Sequence, residues 1–82
     1  MMSANYCIMH ERRVNKHIES RTLLPTIFSS KEEAYNYMCK VGRDDNRNGF
    51  AAASLTDDHL ILLKEYDGVC LFSDYKIVET DF

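Results

Sequence analysis

The sequence predicts the α+β class, with a small ββαββ-type antiparallel sheet packed against one α-helix. Three observations carry that reading. Residues 29–42 hold a helix start, an apolar stripe and a helix stop in agreement. Asp67-Gly68 separates two apolar runs, as a two-residue hairpin turn does. Tyr75-Lys76-Ile77-Val78-Glu79 alternates as a strand does.

The first strand is expected over residues 5–11, where Tyr6-Cys7-Ile8-Met9-His10 is rich in strand formers. Residues 15–20 are polar and without period, a loop or the tip of a long hairpin. Pro25 has no N–H to give a ladder, which leaves Thr26-Ile27-Phe28 to pair beside the first strand. The helix follows. Ser29 and Ser30 each have a glutamate three residues on, Glu32 and Glu33, in capping-box spacing. Ala34, Tyr37, Met38 and Val41 lie at i, i+3, i+4 and i+7 and form the face that meets the sheet. Gly42 reads as the stop, and residues 43–49 as a loop. A short strand is expected near residues 50–54, weakened by three alanines. Residues 59–66 and 69–72 form the hairpin, and residues 75–79 the last strand, offset by a bulge at Ser73-Asp74. A helix capped by Thr56 and stopped by Gly68 competes for residues 56–66, because a short apolar run suits either element.

Eighty-two residues, 45% hydrophobic and 28% charged, make a single α+β domain over residues 1–82. A chain this short buries only ~60–65% of its unfolded surface, so its core is thin. The net charge of −3 is uneven: residues 1–50 carry +2 and residues 51–82 carry −5. Nucleic-acid binding is not expected on that balance, since phosphate contacts need a basic excess. The one basic concentration, Arg12, Arg13, Lys16 and Arg21, reads as a solvated loop. Cys7, Cys39 and Cys70 are odd in number and form no C-x-x-C pair. No leader pattern and no run of ~18 apolar residues is present. A cytoplasmic protein with three reduced thiols and no membrane span is therefore expected.

Chemistry-bearing motifs are few. Asp44-x-Asn46-x-Asn48-Gly49 matches half of a calcium loop, but Leu55 stands where the bidentate glutamate belongs. Cys7-x-x-His10 has zinc-like spacing, yet on one strand its two side chains point to opposite faces. The three glycines, at 42, 49 and 68, build no phosphate-cradling loop or nucleophile elbow. The expectation is no enzyme, no metal and no cofactor.

The hairpin carries the functional expectation. One face presents Leu60, Leu62, Tyr66, Val69, Leu71 and Tyr75, the other Ile61, Leu63, Cys70 and Phe72. Both are apolar, as in a sheet covered on both sides, and one helix covers one side. Leu60, Leu62, Tyr66, Leu71 and Tyr75 are the expected partner-binding residues, meeting a larger protein target or a second copy in a homodimer. The alternative is a small-molecule pocket between helix and sheet or across a dimer, with Tyr35 or Tyr37 free to stack on a ligand. The join Phe28-Ser29-Ser30-Lys31-Glu32-Glu33-Ala34, with Tyr75-Lys76-Ile77, resembles short bacterial and phage proteins. That resemblance implies a phage-type inhibitor or accessory factor that docks on a host protein, and it carries no residue roles.

Overall fold

The computed structural model describes residues 5–80. Its elements run β1 (Asn5–Val14), β2 (His17–Leu23), α1 (Lys31–Arg47), β3 (Ala51–Leu55), β4 (His59–Tyr66) and β5 (Val69–Thr80). The strands form one sheet in the order β2-β1-β5-β4-β3, with every pairing antiparallel. One helix packs on one face of it, which is the expected α+β class. No helix among the described residues is long and apolar enough to cross a membrane.

Turn chemistry sets the register. Asp67 and Gly68 both take positive φ, 52° and 76°, which is the backbone of a tight hairpin turn. Tyr66 therefore faces Val69, and the pairing runs unbroken to His59 and Lys76. The bulge expected at Ser73-Asp74 is absent: β5 also pairs with β1 without a slip from Asn5–Thr80 to Val14–Leu71. Strand partners on both sides, Arg12 and Glu11 of β1 and Leu62 and Ile61 of β4, hold both residues in the ladder. The polar stretch after Val14 is likewise ordered. Asn15, at φ 55°, and Lys16 turn the chain straight into β2, which completes the long hairpin. Thr26-Ile27-Phe28 contributes a single bridge, Phe28 to Tyr6. Residues 56–66 hold a strand and its entry turn, not a helix: Thr56 N–H donates to the His59 carbonyl.

The helix begins as its cap predicts, with Ser30 accepting the Glu33 N–H at 3.1 Å. Its end lies elsewhere. Gly42 is buried in mid-helix, and the stop is Asn48 followed by Gly49 at φ 97°. Residues 43–47, expected as loop, are the last turn of α1. Gly42 serves close packing: a Cβ there would lie 2.5 Å from Leu60 Cδ2. Ala34 and Met38 are fully buried, with Tyr37 and Val41 packed beside them. They meet Ile8, Leu60, Leu62, Tyr75 and Ile77, which all face the same side of the sheet.

Candidate functional site

Position along the strands, under α1 or beyond it, divides the expected partner-binding residues by fate. Leu60, Leu62 and Tyr75 are at most 5% exposed beneath α1, so they are core and cannot reach a partner. Leu71 is half-buried on the same face, and Tyr66, 67% exposed, sits beside the hairpin turn. The helix takes the face that these residues share, and among the described residues the opposite face is left bare.

The bare face is built from alternate residues of four strands. Cross-strand register places Met9 of β1, Leu23 of β2, Ile61 and Leu63 of β4, and Phe72 and Val78 of β5 upon it. Ile18 and Leu23 are each 53% exposed there, and the central apolar residues are half-buried. A cluster of charges interrupts the apolar surface. Arg13 Nη2 donates to Asp74 Oδ2 at 2.7 Å, and its guanidinium lies 4.7 Å from the Phe72 ring centroid. Glu11 accepts from Arg21 Nε at 3.0 Å, and His59 Nε2 lies 3.9 Å from Asp74. Asp74 Oδ1 is buried and has no hydrogen-bond partner among the described residues. That leaves one acceptor open to an ordered water or an incoming donor. Met9, Glu11, Arg21, His59, Asp74 and Lys76 line a hollow of about 370 Å³. Arg13, Lys16, Cys70 and Phe72 line a second, of about 450 Å³, toward the turn at Asn15.

A different polar group lies under the C-terminal half of the helix. Asp45 Oδ2 accepts from Ser73 Oγ at 2.8 Å and from the Tyr75 hydroxyl at 2.7 Å. Ser73 spends its proton on that carboxylate, so His10 Nε2–H donates to Ser73 Oγ, at 2.8 Å. The His10 ring also stacks on Tyr75, with centroids 4.3 Å apart. Burial lowers the His10 pKa, helped by Arg12 and opposed by Asp45 and Asp74. Burial, then the bond to Asp45, pushes Tyr75 up to about 12. The grouping of His, Ser and Asp has the residue types of a nucleophile site but not its order. The serine sits between the other two and is 1% exposed, where no substrate reaches it. Its work is to tie the helix to the sheet.

The remaining motifs resolve as local structure. Asp44, Asn46, Asn48 and Gly49 form the last turn and cap of α1, with Asn48 Nδ2 donating to the Asp44 carbonyl and Asn46 Nδ2 to that of Phe50. Cys7 and His10 lie on opposite faces of β1. All three cysteines are free; Cys7 is buried, and Cys39 and Cys70 are half-buried. Among the described residues, no three His, Cys, Asp or Glu side chains are grouped to hold a metal ion. The cavity between α1 and the sheet is about 230 Å³, smaller than the roughly 300–1,000 Å³ of a typical small-molecule pocket.

Sequence reasoning missed the charged centre of the bare face for an identifiable reason. The sequence reads Arg13 and Arg21 as a solvated loop, whereas both lie in strands and pair with Asp74 and Glu11. The signal was the alternation of Cys7, Met9, Glu11 and Arg13 against Tyr6, Ile8 and His10, continued three residues past Glu11. No family model, curated protein or solved structure matches this chain.

Proposed function

We propose that the protein is a small non-enzymatic binding module that docks on a larger protein through the bare face of its sheet. One observation carries this reading: a five-stranded sheet whose single helix covers one side, with Ile18, Leu23, Ile61, Leu63 and Phe72 on the other. The helix is about 26 Å long at 1.5 Å per residue, half of the molecule's 52 Å long axis. Apolar surface of this kind marks interfaces more often than solvent. The charges at its centre suit protein recognition, since fixed ion pairs select a complementary surface and reject others. An inhibitor or accessory factor of a cytoplasmic target acts in this way. Small-molecule binding is the weaker reading, because the cavity between helix and sheet is small.

Leu63→Asp and Phe72→Asp test the proposal. Each is expected to abolish capture of the target from a native extract while leaving the melting temperature within a few degrees of wild type. Sedimentation of the purified protein separates a second copy from a foreign target as the occupant. Retained capture by both variants would remove the bare face from the function.

A further inference from the structure

The geometry points to a second, separate docking site: the groove between α1 and edge strand β3 accepts an extended segment of a partner protein by strand addition. The segment carries an apolar residue and an acidic residue two positions apart, on one face of the added strand. The evidence begins at the edge. β3 ends the sheet, and each of its residues from Ala51 to Leu55 is exposed. Edges are normally guarded by charge or proline. The other edge, β2, carries His17, Glu19 and Arg21, whereas Ala-Ala-Ala-Ser-Leu carries neither, and a register shift between Ala52 and Ser54 is its one protection. Its outer backbone groups therefore offer a template for another extended chain.

Beside this edge lies the 230 Å³ cavity, walled by Cys39 and Gly42 of α1, by Ala52 and Leu55 of β3, and floored by Leu60 and Leu62. It is too small for most ligands and suits one aliphatic side chain. Gly42 adds no side chain to its wall, and Leu55, 49% exposed, stands at its mouth. Arg43 also lines it, exposed and without an ion pair or hydrogen bond among the described residues. An apolar residue in the cavity thus places an acidic residue two positions along the same strand, on the same face, within reach of Arg43. A second copy is a poorer occupant. Twofold pairing of β3 on β3 brings the two helices to the same side of the joined sheet and turns one Arg43 toward the other.

The test is an amide-resolved NMR titration with a short β-strand peptide that carries a leucine and, two residues on, a glutamate. Shifts are expected to map to residues 39–46 and 51–55. N-methylation of alternate peptide amides is expected to abolish binding. Arg43→Glu, an exposed position that leaves the core untouched, should weaken binding about tenfold or more and restore it for a peptide with lysine in place of glutamate. The bare-face variant Leu63→Asp should bind the peptide as wild type does, so failure of the bare-face proposal and failure of this one are distinguishable. Absence of binding at millimolar peptide, indifference to N-methylation, shifts confined to the bare face, or self-association through β3 would each overturn the inference.

Discussion

Tyr75 shows how one side chain joins packing to electrostatics. Its ring stacks on His10 in the core, and its hydroxyl donates to Asp45. Burial raises its folded pKa to about 12, above the ordinary 10.0, so the folded state holds the phenol proton more tightly. Stability from this group is complete below pH 10 and is lost as pH rises from 10 toward 12. Tyr75→Phe is expected to flatten that alkaline limb in a series of melts. His10 has the opposite sign. Its folded pKa lies below 6.5, so the neutral ring is favoured on folding, and stability falls as pH drops below 6.5. Replacement by phenylalanine keeps the stacking and is expected to remove the acid slope. At the centre of the helix, Met38→Ala is expected to cost about 2–5 kcal/mol by urea unfolding, because the side chain is fully buried.

The helix is the element whose two ends follow different rules. Ser30 caps its start through a local contact with Glu33, and Ser30→Ala is expected to cost roughly 0.5–2 kcal/mol. The sequence alone places its end at Gly42, because a glycine near basic residues has the composition of a stop. Glycine at that position answers to Leu60 of β4, distant in sequence, and the true cap comes at Asn48 and Gly49. Gly42→Leu is expected to destabilise the fold by about 1–3 kcal/mol through overpacking, despite its better helix propensity. A rise in the urea midpoint would show that Leu60 yields without cost. The β4–β5 hairpin, by contrast, was readable from its turn, since Asp67-Gly68 supplies the positive φ that a two-residue connection demands.

On the scale of the molecule, a one-helix layer on a five-stranded sheet makes neighbouring leucines inequivalent. Leu62 is 2% exposed beneath α1, while Leu63 lies half-buried on the bare face. Leu62→Asp places a charge in the core and is expected to prevent folding. Leu63→Asp is expected to keep the melting transition and lose the partner. Circular dichroism melts of the two variants side by side check this. Equal destabilisation would mean that both faces are core.

Read alone, the chain already contains the helix cap, the apolar stripe of Ala34, Tyr37, Met38 and Val41, the Asp67-Gly68 turn and the α+β class. Each depends on contacts within a few residues, which local periodicity and turn chemistry encode. It also contains two apolar faces on one hairpin, but not which of them the helix covers, since period-two alternation is symmetric between the faces. Folding broke that symmetry. Leu60, Leu62 and Tyr75 went under the helix, and Arg13 met Asp74 on the far side, 61 residues along the chain. Ser73 and Asp74 entered an unbroken strand for the same reason: Asp45 and Arg13, their partners, come from other elements. Such pairings are set by where whole elements pack, and no window of neighbouring residues records that.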